Sequence, residues 1–256
     1  MEFAVIASTG QILQPLVDKL SYWNPLDDAD RRAILELPHR IRKVDRHSYI
    51  VREREKASHA ALILHGFAVR HKIVGGGARQ IVAVHMKGDI VDLQNTFLEV
   101  ADHGVQMITD GDIALIPREA VRAIALERRN VGMAMWFDTL VDGSIFREWI
   151  ANVGRRDARA RLAHLMCEFS LRLKMAGLGS TNEYELPMTQ EQMADCTGLT
   201  SVHINRTLKA LESEGLIRRR NHRCVVIGDW SRLAEAGDFD STYLHLRQDE
   251  PALSGR

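Results

Sequence analysis

The chain has 256 residues, 45% hydrophobic and 27% charged, with 34 Lys and Arg against 34 Asp and Glu. Those proportions suit one large or two modest globular domains, and zero formal net charge excludes a protein that coats nucleic acid over its whole surface. No run approaches the roughly 18 apolar residues of a membrane helix. The three cysteines, Cys167, Cys196 and Cys224, are odd in number and lack CxxC spacing, which argues against a disulfide framework or a closed cysteine metal site.

The opening MEFAVIASTGQILQPLV has no positive leader and no long apolar core, so no secretory signal is expected and the cysteines read as reduced thiols of a cytoplasmic protein. Asp27–Leu37 reads as a short helix. From about Asp45 to Pro117 short β-type runs follow one another: Ala60–Leu64, Phe67–Ile73, Gln80–His85, Val105–Thr109 and Asp112–Ile116. Gln80–His85 alternates polar and apolar, and Gly75-Gly76-Gly77 makes a hairpin turn. No Lys-Ser/Thr follows those glycines, so they do not form a phosphate loop. Gly88-Asp89 marks another turn. Many short strands at this spacing predict a sandwich or small barrel. His59, His65, His71, His85 and His103 crowd this zone, yet none has HxH or HExxH spacing. A cupin-like metal-dependent enzyme, or a haem or metal sensor using these histidines, is the alternative they raise; hydrogen-bonded strand residues is the simpler reading, and no metal is assigned.

Val131–Val153 carries helix-spaced apolar residues at Met133, Trp136, Phe137, Leu140, Val141, Ile145, Trp149, Ile150 and Val153. So broad a stripe can cover the β-domain or pair with its own copy. Arg155–Met175 is a second amphipathic helix, with Ala158, Leu162, Leu165, Met166, Phe169 and Leu173 on one side, ended by Gly177 and Gly179. Leu178–Leu186 reads as a polar connection.

The last zone is the most patterned. Thr189-Gln190-Glu191-Gln192 spells a capping box, opening a short helix to about Asp195. Gly198 can take the left-handed conformation that stops it. Thr200 then caps a second helix to about Glu214. Ala194, Leu199, Ile204, Leu208 and Leu211 are spaced to pack the two together. Leu216–Arg220 and Arg223–Ile227 flank Asn221-His222 as a small hairpin, or wing. Helix–turn–helix–wing presents the first turn of the second helix to a major groove. Between Thr200 and Arg223 six cations (Arg206, Lys209, Arg218, Arg219, Arg220, Arg223) face two acids (Glu212, Glu214), so a neutral chain holds a locally basic segment. Arg206 can pair bidentately with guanine, Val202 can touch a thymine methyl, and His203 can donate to a base or phosphate. Thr189, Thr200, Ser201, Asn205, Lys209 and Arg218–Arg220 are expected on phosphate.

The stretch LPMTQEQMADCTGLTSVHINRTLKALESEGLIRRR closely resembles the winged helix-turn-helix of the Crp/Fnr transcription regulators. GDIVDLQNTF resembles the Gly-Asp turn of that family's β-roll, HGVQMITDGDIALIPREAV its last strands, and FREWIANVGRRDARARLAHLMCEF the end of its dimerisation helix and the helix after it. The resemblance covers roughly residues 15–230. It implies an α+β protein: a β-roll sensor domain at 15–128, a dimerisation helix at 129–153, a winged helix-turn-helix at 154–232 and a tail at 233–256. It also implies a bacterial, cytoplasmic, non-enzymatic homodimer on palindromic double-stranded DNA, with RNA polymerase as partner. Met133, Trp136, Phe137, Leu140, Val141, Ile145 and Trp149 would form the dimer interface. The family's recognition helix commonly carries Glu, then Ser or Gly three residues on, then Arg; here those positions hold Val202, Asn205 and Arg206. A guanine per half-site is therefore expected, while the base that the Glu helps select is left open. Asp89, Val91, Asp92 and Leu93 are the candidate effector pocket. The Gly-Glu and Arg-Ser pairs of cyclic-AMP-binding relatives are missing, which argues against cyclic AMP, and no cysteine precedes Cys167, which argues against an iron–sulfur cluster. No cofactor is assigned, and any effector is of unknown identity.

Overall fold

The computed structural model describes residues 12–221 and 223–247. The chain divides into two compact units, one from Met1–His71 and Val84–Leu140, the other from Lys72–Ala83 and Val141–Arg256. His222 of the wing turn, residues 248–256 of the expected tail and the first eleven residues lie outside the described set.

The first unit opens with α1 (Gln14–Trp23), which has a proline in its first turn, where a missing N–H costs no hydrogen bond. A second helix, α2 (Asp28–Leu35), starts on an Asp27–Asp30 capping box. The strands are β1 (Arg40–Val44), β2 (Tyr49–Val51), β3 (His59–His65), β4 (Ala68–Ile73), β5 (Arg79–His85), β6 (Ile90–Val91), β7 (Gly104–Met107) and β8 (Gly111–Pro117). They form two four-stranded sheets, ordered β1-β8-β3-β6 and β2-β7-β4-β5. Alternation along β3 sorts its residues between two cores. Ala61 and Ile63 join Val44, Val51, Val91, Val105, Met107 and Ile113 in one core. Ala60 and Leu62 face the other way and pack with Leu16, Val17 and Leu20 of α1, Ile34 of α2, and the helices that follow β8. Those helices are α3 (Arg118–Glu127) and α4 (Arg129–Arg155). The expected β-roll is present, with five strands at the expected places. The sequence reading missed α1, α3, β1, β2 and β6. Four of the five residues of β1 are exposed and β6 has two residues, so neither shows a hydrophobic period.

The 27-residue α4 divides its apolar stripe. Met133, Trp136, Phe137, Leu140 and Ile150 are exposed, while Val141, Ile145 and Trp149 are buried within their own chain. Of the seven residues expected at a dimer interface, Met133, Trp136, Phe137 and Leu140 are thus exposed, and the other three are buried in the single chain. Val141, Ile145 and Trp149 already have intrachain neighbours, and Trp149 Nε1 donates to Glu168 Oε2 at 2.8 Å.

In the second unit come α5 (Ala158–Met175), β9 (Glu183–Glu185), α6 (Gln190–Thr197), α7 (Ser201–Ser213), β10 (Ile217–Arg220), β11 (Cys224–Ile227) and α8 (Trp230–Ala236). A 3-10 turn at Ser241–Leu244 follows. Leu162 through Leu171 of α5 are all buried, so this helix is enclosed rather than one-sided. Its Glu168 also accepts from the Tyr243 hydroxyl at 2.8 Å and from Arg172 at 3.3 Å, which offsets the cost of burying a carboxylate. The residues after 232 are thus structured as far as the description runs: Leu233 and Leu244 are buried, and Tyr243 reaches α5. The segment 178–186 is likewise more than a connection. Within it, β9 pairs antiparallel with β11, making the wing a three-stranded sheet in the order β10-β11-β9. Among the described residues no helix is long and apolar enough to cross a membrane.

Candidate nucleic-acid interface

α6 starts on the expected capping box: Gln192 N donates to Thr189 Oγ1 at 3.2 Å, and Thr189 N to Gln192 Oε1 at 2.8 Å. It ends at Gly198, whose φ of 65° is strained for a residue with a side chain. A Cβ there would also stand 3.1 Å from Val153 Cγ1. The free carbonyls at the end of α6 find donors. Arg161 reaches Thr197 O at 3.0 Å, Gln80 reaches Asp195 O at 2.7 Å, and Arg79 pairs with the Asp195 carboxylate at 2.7 Å. Residues 72–83 belong to this unit; Arg79 and Gln80 are supports that sequence reasoning did not single out, since their partners lie more than a hundred positions away.

Thr200 caps α7, its Oγ1 accepting from His203 N at 3.3 Å. Ile204, Leu208 and Leu211 are fully buried against α6 and the wing. That fixes the opposite face outward: Ser201, Val202, His203, Arg206 and Lys209 are all exposed, Val202 at 67%. Thr189 and Thr200 spend an oxygen lone pair on capping and keep the hydroxyl hydrogen, which can still donate to a phosphate. Asn205 is half-buried and held by Gln190, to which it donates at 3.3 Å.

The three wing arginines separate by strand alternation. Arg218 and Arg220 are exposed, and Arg220 lies 3.6 Å from Glu183. Arg219 points the other way and makes a two-pronged pair with Glu212 of α7, at 3.0 and 2.8 Å. The hydrogen bond from Arg219, against a smaller opposing effect of burial, holds the Glu212 carboxyl below the usual range. Arg219 thus braces the wing on α7, whereas Arg218 and Arg220 share the strand's other side.

The four residues singled out for an effector pocket do not converge. Val91 is in the inter-sheet core, and Leu93 packs against the helical core. Asp89 pairs with Lys19 and accepts from Met86 N at 2.9 Å. Asp92, with φ of 61°, enters a separate buried cluster. Its Oδ1 meets His103 Nε2 at 2.5 Å and lies 3.7 Å from Arg70 Nε, while His103 Nδ1 meets Asp102 Oδ1 at 2.5 Å. Carboxyl oxygens face both ring nitrogens, an arrangement that favours a proton on each. Burial alone would push it toward neutrality. The hydrogen bond and charge of Asp92, with Asp102, outweigh burial and the opposing Arg70, and raise His103 above the ordinary histidine range. His71 packs against Gly104, where any Cβ would come within 2.9 Å of its ring. The sequence singled out His71 among the histidines of the β-zone but not Arg70; both are buried, on consecutive positions of β4. Among the described residues no three His, Cys, Asp or Glu side chains gather as a metal site.

Comparison with known proteins is consistent with both halves. Residues 41–128 match a cyclic nucleotide-binding domain model and residues 160–236 a Crp-like helix-turn-helix domain model. The chain is 27% identical to the transcriptional activator protein FnrL of Cereibacter sphaeroides, over 84% of this chain and 87% of that one. It is 24% identical to the nitrogen fixation regulation protein FixK of Azorhizobium caulinodans, over 73% and 75%. In fold it is similar to FixK2 of Bradyrhizobium japonicum, with a TM-score of 0.72 at 24% identity, covering 78% of this chain and 98% of that one.

Proposed function

The chain belongs to the Crp/Fnr family of transcription regulators, with the family's helix-turn-helix DNA-binding domain, and from that premise we propose how it reads DNA. It acts in the cytoplasm as a homodimer on a palindromic site, not as an enzyme. Each α7 lies in a major groove, and RNA polymerase is the downstream partner. The observation that supports this reading best is the outward face of α7. Val202, His203 and Arg206 stand exposed on a helix capped by Thr200 and anchored by Ile204, Leu208 and Leu211. Arg206 reads guanine. Ser201, Lys209, Arg218 and Arg220 hold phosphates with Thr189 and Thr200, and Arg219 contributes by bracing the wing. The exposed Met133, Trp136, Phe137, Leu140 and Ile150 of α4 meet their copies in the dimer. No cofactor is needed to complete the reading head, and the Asp92–His103–Arg70 cluster is the place in the β-roll where a proton or a small polar effector acts.

Binding to duplexes at graded salt tests this. Arg206→Ala relaxes discrimination at one base pair per half-site by about 1–3 kcal/mol. Lys209→Ala weakens binding to every sequence alike and lowers the salt slope by about 1. Unchanged base selectivity in Arg206→Ala contradicts the assignment.

A further inference from the structure

We infer that Asn205 reads an adenine and that Gln190, on the other helix of the motif, positions it to do so. This rests on α7 being the reading helix. Asn205, half-buried beside the exposed Val202 and Arg206, is held by the neighbouring helix: its Nδ2 donates to Gln190 Oε1 at 3.3 Å. Gln190 is the first residue of α6, carried on the turn that the Thr189–Gln192 capping box fixes. Asn205 follows Val202 by three positions, so the two lie on one side of α7, while Ile204 and Leu208 turn inward.

The hydrogen-bond inventory decides what Asn205 suits. An asparagine amide offers two N–H groups and one carbonyl oxygen. Gln190 takes one N–H. One N–H and one acceptor remain, in a plane that Gln190 restrains. Adenine presents the complement in the major groove, an N7 acceptor beside an N6 donor. A phosphate presents acceptors only, and would leave the Asn205 carbonyl oxygen facing an anion. The pairing therefore moves Asn205 from phosphate holding to base reading. Restraining the amide before binding lowers the ordering cost of the contact.

The test uses the full-length protein and a site selected from random duplexes. Affinities are measured for that site and all its single-base variants, with wild type, the single variants Asn205→Ala, Gln190→Met and Gln190→Glu, and Gln190→Met combined with Asn205→Ala. Wild type should prefer adenine at one position per half-site. Asn205→Ala should lower that preference roughly 5- to 100-fold. Gln190→Met, which keeps the length and loses the acceptor, should lower it at least about twofold at that position alone. It should have no further effect in the Asn205→Ala background. Gln190→Glu keeps the acceptor and should retain the preference while weakening binding to all sequences. Melting temperature should be unchanged in all three single variants, separating positioning from folding. The inference is overturned if no adenine position exists, if Gln190→Met leaves the preference intact, or if Gln190→Met and Gln190→Glu alter it alike. Selection that yields no shared site overturns the DNA-reading assignment together with it.

Discussion

Arg218 and Arg219 are neighbours in a run of three like residues, yet strand alternation gives them different work. Arg219→Ala should lower folding stability by a fraction of a kcal/mol, up to about 1, because it removes a partly exposed pair, and should leave the salt slope of DNA binding nearly unchanged. Arg218→Ala should do the reverse, lowering the slope by about 1 with no shift in melting. Thermal melting and salt titration of both variants check this together. The run was legible as basic but not as divided, because alternation assigns faces only once the register against β11 is known, with Arg219 opposite Val225. His103 gives a pH signature. Its folded pKa is raised above the ordinary 6.5, so its contribution to stability is complete below that value and is lost as pH rises through the folded pKa. Between pH 6 and pH 9, wild type should therefore lose more stability in urea than His103→Gln does; parallel curves for the two proteins would remove His103 from the account. The histidines were visible in the sequence as a group, but the one held between two carboxylates was not, since Asp92 lies eleven positions from its partner.

Elements with local determinants were the readable ones. The capping residues of α6 and α7, the left-handed Gly198 and the inward Ile204, Leu208 and Leu211 all lie within a few positions of what they stabilise, and the structure places each where the pattern puts it. Replacing Thr200 by Ala should cost about 1 kcal/mol through loss of the α7 cap, with a matching fall in DNA affinity, measured by urea denaturation and titration. Elements defined by distant partners were hidden. Three-residue β9 exists through pairing with β11, and the enclosure of α5 depends on Trp149 and Tyr243 arriving from either side of the sequence. Trp149→Phe removes one donor from buried Glu168 and also shrinks a buried side chain, so it should destabilise the protein by at least about 1–3 kcal/mol; a loss below experimental error would show that the remaining donors suffice.

For the whole molecule, the sequence separated a β-zone, a long helix and a basic reading head, and the charge balance already required that any nucleic-acid surface be local. The division of α4 was not readable, because helix periodicity reports an apolar stripe without saying which of its residues the chain itself covers. Only the exposed part is available to a second copy. Trp136→Asp, on that part, should shift the protein toward monomer in sedimentation and weaken binding to a two-half-site duplex far more than to a single half-site. Selection of bound duplexes from a random pool tests the central claim most directly. The account predicts an inverted repeat with half-sites about one helical turn apart, a guanine in each, bound by two chains. Recovery of a single unpaired motif, or of no common sequence at low salt, would contradict it.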